Sequence, residues 1–309
     1  MKKWLLLLMT IVMLTGCSQQ GQKTIMIAQQ FGLAYAPLQV AQELKLIEKY
    51  LPDETYEIEW RQMMNTASIR EAMLSGDLDV GFMGIPPFLI GYDHQMQWKI
   101  FRGLNQAPLG LTYRTDQVDS IEDFDMNHKI ALPQPGSIQH ILLAMYLENT
   151  YGDAEMLDNF LLTMSHPEGQ IALVSNTEVS GHFTSPPYIF DELDNENIAL
   201  MIESEEAFGG EFTFIVGVVR DGLQDDVVIE AINKGIDEAV KFIEDYPEQA
   251  VEILSKIYEV DADKITTYLY HEGMSFEDKV LGVGGFMDFM KRAGYLETEF
   301  KEEDVYYEN

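Results

Sequence analysis

Residues 133–137 read Pro-Gln-Pro-Gly-Ser, set between a short apolar run at 129–132 and a helical rhythm that starts at Ile138. A serine at such a junction can cap the helix through its side-chain oxygen. The same junction leaves backbone N–H groups unpaired at a helix N-terminus, where a partial positive charge favours an anion or a carbonyl oxygen. Gln139 and His140 follow within the first turn and could add side-chain contacts. Four other segments share the strand-turn-helix shape. They are the loop holding Phe31, Leu33 and Tyr35, the pair Asn65-Thr66, the turn Gly84-Ile85-Pro86, and the run His182-Phe183-Thr184-Ser185. Open α/β sheets bind ligands at the carboxyl ends of their strands, so several such starts from two lobes can converge on one cleft.

Each candidate also has a plain structural role. Ser137 serves as an N-cap, Gln139 and His140 suit a solvated helix face, His182 lies between apolar neighbours like a core histidine, and Phe31 and Tyr35 can be core aromatics. None of these loops contains Lys or Arg. An anion there would rest on backbone dipoles, hydroxyls and a protonated His182. A neutral or weakly anionic heterocycle stacked on Tyr35 or Phe183 fits the same residues equally well.

Catalytic templates are missing. The chain has no G-x-S-x-G, no phosphate-cradling GxxxxGK[ST] and no GxGxxG after a strand. Its six histidines show neither HExxH nor HxH spacing, so no local zinc motif is present. Acidic pairs such as Asp225-Asp226 and Glu302-Glu303 read as surface charge. No catalytic residue, metal or cofactor is expected.

The elements that would position these loops alternate. Strands are expected at 24–28, 55–60, 78–83, 129–133 and 160–165. A helix from Pro37 should bury Leu38, Ala41, Leu44, Ile47 and Leu51 on one face, a second should be capped by Ser68 and Glu71 and end at Gly76, and a third should run from about Ser137 to Asn149. Gly81 to Ile90 echoes Gly181 to Phe190 at an offset of one hundred residues, with Pro86-Pro87 opposite Pro186-Pro187. The echo implies two similar lobes. Crossings are expected near 108–114 and 208–220, and the tail carries the stripe Ile229, Ile232, Ile236, Val240 and Ile243, a break at Pro247, and a cap at Asp261.

The first residues belong to no fold. Lys2 and Lys3 precede an apolar run from Trp4 to Leu14, and Leu14-Thr15-Gly16-Cys17 follows. That run is too short for a lasting bilayer helix and reads as an export signal. Leu-Thr-Gly-Cys resembles a bacterial lipoprotein signal, which implies cleavage after 1–16, lipidation of Cys17 and a tether over 17–23. Cys17 is the single cysteine, so no disulfide or thiol nucleophile is available to the fold. The composition has 52 acidic against 20 basic residues, a net charge of −32 that becomes −34 once Lys2 and Lys3 are removed. Nucleic acid and anionic lipid surfaces would repel such a chain.

Taken together, "QFGLAYAPLQVAQELKLIEKYLP", "SIREAMLSGDLDVGFMGIPPFLIG", "IALPQPGSIQHILLAM" and "HFTSPPYIFDEL" resemble the substrate-binding lipoproteins of ABC importers, in the group handling nitrate, aliphatic sulfonates, taurine and thiamine-pyrimidine precursors. The resemblance implies an α/β, two-lobed periplasmic-binding-protein type II fold with a two-stranded hinge and a ligand cleft between the lobes. Lobe 1 would comprise 24–110 and 217–309, and lobe 2 would comprise 111–216. Family cleft positions fall on Leu33 to Tyr35, Thr66, Gly84 to Pro86, Ser137, and His182, Phe183, Thr184 and Ser185. The implied protein is an extracytoplasmic monomer, lipid-anchored on a Gram-positive membrane or in a periplasm, that hands a small ligand to membrane permease subunits. The apolar turn at Gly84 to Phe88 departs from a cleft built for a small, highly charged anion. Two other readings share the residues: an enzyme on the same scaffold, similar to pyrimidine synthases, and a surface interaction lipoprotein without a small ligand.

Overall fold

The computed structural model describes residues 23–52, 56–175, 177–223 and 225–308. The export segment, Cys17 and all but Lys23 of the tether lie outside the described residues.

Two five-stranded sheets organise the chain. The first contains β1 (Lys23–Gln29), β2 (Tyr56–Gln62), β3 (Val80–Gly84), β4 (Trp98–Asn105) and β10 (Ile215–Arg220), in the order β2-β1-β3-β10-β4. The second contains β5 (Gly110–Arg114), β6 (Lys129–Leu132), β7 (Leu161–Thr163), β8 (Val179–Thr184) and β9 (Ile198–Glu203), in the order β7-β6-β8-β5-β9. The orders superimpose. In each sheet three parallel strands are followed by one antiparallel strand that comes from the far side of a crossing: β10 in the first, β5 in the second. The hundred-residue echo falls on β3 and β8, which occupy the same middle position.

Local chemistry explains most boundaries. β3 is buried along its whole length, as a parallel strand covered on both faces must be, whereas β2 alternates at the sheet edge with Glu57 and Glu59 turned outward. α1 (Ala36–Glu43) starts with Pro37 in its first turn and ends earlier than its apolar spacing predicts. Lys45 adopts φ 52, and Leu46 N–H reaches back to the Ala41 carbonyl at 2.9 Å, a Schellman stop without glycine. Leu44 is left exposed, while Ile47 and Leu51 reach the core through the following turn. α2 (Thr66–Ser75) is capped by Asn65, whose Oδ1 accepts from Ser68 N–H at 3.0 Å, rather than by the expected Ser68-Glu71 box. Gly76 ends it in the left-handed region, as expected.

The remaining helices cover the sheets. They are α3 (Ile85–Asp93), α4 (Ile138–Tyr151), α5 (His166–Val174), α6 (Tyr188–Leu193), α7 (Ser204–Phe208), α8 (Asp226–Asp245), α9 (Pro247–Tyr258), α10 (Ala262–Leu269) and α11 (Val283–Arg292). Pro86 and Pro87 sit in the first turn of α3, but across the echo Pro186-Pro187 is a cis bond and α6 begins only at Tyr188. α8 buries Ile229, Ile232, Ile236 and Ile243 and packs on α1. Asp261 caps α10 through Asp263 N–H. Among the described residues no helix is long and apolar enough to cross a membrane.

Candidate functional site

The carboxyl ends of β1, β3, β6 and β7 face one another across the gap between the sheets, and a cavity of about 30 Å³ lies there. Gln30, Phe31 and Tyr35 reach it from the loop after β1, and Thr66 from the start of α2. Gly84 and Pro87 come from the β3–α3 turn. The second sheet supplies Pro133, Gln134, Ser137, Ile138 and Gln139 at the start of α4, and His166 at the start of α5. Phe214 and Ile215 close one side where β10 enters the first sheet. A water needs roughly 10–15 Å³ on this measure, so the cavity has room for about two waters and admits an organic solute only when the sheets part.

Hydrogen bonds hold the sheets together at this point. Gln134 Oε1 accepts from Ala67 N–H at 3.1 Å, so a side chain of the second sheet's layer caps α2 of the first. Leu33 N–H donates to the Pro186 carbonyl at 3.1 Å. Gly136 turns the chain into α4 with φ 76, and a Cβ there would stand 2.7 Å from Ile90 Cδ1. The turn therefore needs glycine for its backbone angle, while the Ile90 methyl could move aside.

Apart from the His166 imidazole, the cleft's polar side chains are amides and hydroxyls. Gln30 Nε2 donates to the Phe82 carbonyl at 3.2 Å and to Thr66 Oγ1 at 3.3 Å. Ser137 Oγ caps α4 by accepting from His140 N–H at 3.2 Å. His140 itself holds the turn: Gly136 N–H donates to its Nδ1 at 3.0 Å, and its Nε2 lies 3.2 Å from Asp158. Burial pushes the Tyr35 phenol far above its usual range, which leaves it a neutral hydroxyl. No lining residue is Lys, Arg, Asp or Glu. Arg102 is held by Asn233 and Asp237, and Arg114 by Asp116 and the Leu173 carbonyl. Among the described residues no cluster of His, Cys, Asp or Glu could hold a metal ion.

Of the sequence-derived candidates, Phe31, Tyr35, Thr66, Gly84, Ser137 and Gln139 come together around this cavity, and the others stand behind it. Leu33, Ile85 and Pro86 are buried. His182, Phe183 and Thr184 lie on β8, a middle strand covered on both faces, and have no exposed surface; Ser185 is also buried. His182 is therefore not among the residues that line the cavity. Its Nδ1 lies 2.6 Å from Glu192 Oε1. Sequence reasoning passed over Gln134, although it sits within the Pro-Gln-Pro-Gly-Ser turn. It also passed over His166, which has a legible capping box: Ser165 and Glu168 cap each other around it. Phe214 carried no local signal, because it reaches the cleft from just before an antiparallel strand that returns from the second sheet to the first.

His166 is the cleft's one titratable imidazole. Its ring opens to the cavity on one side and packs against His182, Thr184, Gln139 and Tyr188 on the others. Burial, with His182 second, pushes it well below the usual imidazole range. An unfolded histidine takes up a proton below about pH 6.5, and the folded His166 does not until much lower. Between those points the unfolded chain binds more protons, so stability falls as pH drops below about 6.5, by at most about 1.4 kcal/mol per pH unit for this group. Urea unfolding at pH 5.5, 6.5 and 7.5 should show that slope, and His166→Gln should flatten it. Equal slopes in the two chains would refute the assignment.

No protein-family model and no curated protein matches the chain by sequence. Solved structures match its fold. The alkanesulfonate-binding protein of Xanthomonas axonopodis bound to MOPS superimposes with a TM-score of 0.77 at 16% identity, covering 92% of this chain and 98% of that one. The periplasmic aliphatic sulphonate-binding protein of Escherichia coli gives 0.71 at 15% identity, covering 92% and 97%. The periplasmic nitrate-binding protein of Synechocystis gives 0.67 at 16%, covering 92% and 84%. The chain thus has the two-lobed periplasmic-binding-protein fold that the sequence led us to expect, along nearly its whole length.

Proposed function

We propose that this chain is the extracytoplasmic solute-binding component of an ABC-type importer. In this reading 1–16 are removed, a lipid on Cys17 tethers the protein to the outer face of a membrane, and the lobes are 24–110 with 217–309, and 111–216. A small organic solute enters the gap between the sheets and is gripped as the lobes close about their crossings. The closed form then delivers it to a permease. The observation that carries the proposal is the convergence at one cavity of helix starts from both sheets, at Thr66, Gly84 and Ser137. A solute touching both sheets favours the closed state by its differential affinity for that state. The tether keeps the binder at high effective concentration beside its permease.

Thermal unfolding of a chain beginning at Ser18, screened against aliphatic sulfonates, nitrate, pyrimidines and related heterocycles, tests the reading. A true solute at a hundred times its Kd adds about 2.7 kcal/mol of stability. It should also lower the radius of gyration in X-ray scattering. If no compound raises the Tm, the solute-binding reading is wrong.

A further inference from the structure

A row of side chains leads from the cleft into the second sheet: Gln139, His166, His182, Glu192 and Thr112. His182, Glu192 and Thr112 have no exposed surface. Glu192 Oε1 meets His182 Nδ1 at 2.6 Å, and its Oε2 meets the Thr112 hydroxyl at 2.5 Å. His166 Nδ1 lies 3.1 Å from Thr184 Oγ1 and 3.4 Å from His182 Nε2, and its Nε2 lies 3.3 Å from Gln139 Nε2. α5 comes close enough because residue 169 is glycine; a Cβ there would stand 2.6 Å from His182 Nε2.

These contacts have a direction. An amide nitrogen only donates, so the His166 Nε2 facing Gln139 must accept. A neutral imidazole has one donor and one acceptor, which puts the His166 hydrogen on Nδ1, toward Thr184 and His182. His182 Nδ1–H donates to Glu192 Oε1 in the same way, and in a neutral ring its Nε2 is left to accept. A buried hydrogen-bond donor or acceptor is costly to leave unpaired, so the arrangement at one end of the row constrains the other.

We propose that Glu192 and His182 are positioning residues that fix His166 as its Nδ1–H tautomer, so that the cleft selects an uncharged solute able to donate an N–H or O–H to the bare Nε2. This rests on the solute-binding reading and narrows its ligand class. A donor from the solute replaces the long Gln139 contact. The amides of Gln30 and Gln134 and the hydroxyls of Thr66 and Ser137 complement the rest of a small amide-like or heterocyclic molecule. A sulfonate or nitrate would meet a nitrogen lone pair with no cation beside it. Burial, which keeps His166 uncharged, points the same way.

Nitrogen-15 NMR of the histidine side chains, with a thermal-shift comparison, tests this. The wild-type chain at pH 7 should show His166 as the Nδ1–H tautomer. Glu192→Gln should keep that form, since an amide can still accept from His182, while Glu192→Ala should admit the Nε2–H form. Uracil should raise the Tm, 1,3-dimethyluracil should bind at least tenfold more weakly, and nitrate and methanesulfonate should give no shift. His166 found as an imidazolium or an Nε2–H tautomer in the wild type overturns the inference. So does stabilisation by the anions but not by uracil, or equal binding of the two uracils; each leaves solute binding standing. No shift from either class rejects the solute-binding reading and this inference with it.

Discussion

A Gly84→Leu chain will fold and close on a solute only at higher concentration. Gly84 precedes α3 at φ −66 and ψ 156, backbone angles that any residue adopts, so no strain enters locally. Replacing glycine at this cap by leucine costs about 1 kcal/mol, and does so whether the sheets are together or apart. Across the cleft, however, a Cβ at residue 84 would stand 3.2 Å from Ile138 Cβ and 3.3 Å from its Cγ2. The rest of a leucine side chain must press on Ile138 or occupy the small cavity that Gly84 lines while the sheets are together. Overpacking of this kind costs about 1–3 kcal/mol. Because it acts on the closed form alone, it becomes a loss of affinity of roughly 5- to 150-fold. X-ray scattering should find a radius of gyration that shrinks only at a correspondingly higher solute concentration. Wild-type affinity in this chain would falsify the assignment of the gap between the sheets as the binding cleft.

The largest loss of stability is expected from Glu192→Ala. The carboxyl has no exposed surface, and both of its oxygens are engaged, one by His182 and the other by Thr112. Truncation strands the Nδ1–H of His182 in the interior at about 1–3 kcal/mol. It also removes one buried methylene, at about 0.8 kcal/mol, which brings the total to about 2–4 kcal/mol. Glu192→Gln keeps the shape and the hydrogen-bonding reach, and should recover most of the difference. Chemical denaturation of the three chains measures both effects. If alanine costs less than about 1 kcal/mol, the buried pair is not holding the second sheet as described.

These predictions depend on features that the sequence exposes unequally. Pro37, Gly76, Ser137, Pro247 and Asp261 mark helix ends where they were expected, because capping and proline chemistry act within one turn. The uninterrupted burial of β3 was likewise visible as an apolar run. α1 was misjudged because its stop uses Lys45 in a left-handed conformation, and composition shows no such stop without a glycine. The Ser68-Glu71 spacing suggested a cap that Asn65 supplies instead, three residues earlier. Both errors are local competitions between nearly equivalent hydrogen-bonding options.

The candidate site divides along another line. By itself the sequence determined the α/β alternation, the paired lobes announced by the hundred-residue echo, and the helix starts that could face a ligand. Only the tertiary structure decided which starts do so. Ser137 and Thr66 meet across the cleft because Gln134 reaches Ala67 and Leu33 reaches Pro186, contacts between positions far apart in the chain. In the sequence His182 fitted a ligand contact and a core histidine equally. In the fold it is a link in a buried row, because β8 is covered on both faces, while His166, which signalled only as a helix start, stands at the cleft. Periodicity and capping are properties of a few neighbouring residues, and these the sequence states directly. Which side of a strand faces a cleft depends on the layers packed against it, and those layers come from distant parts of the chain.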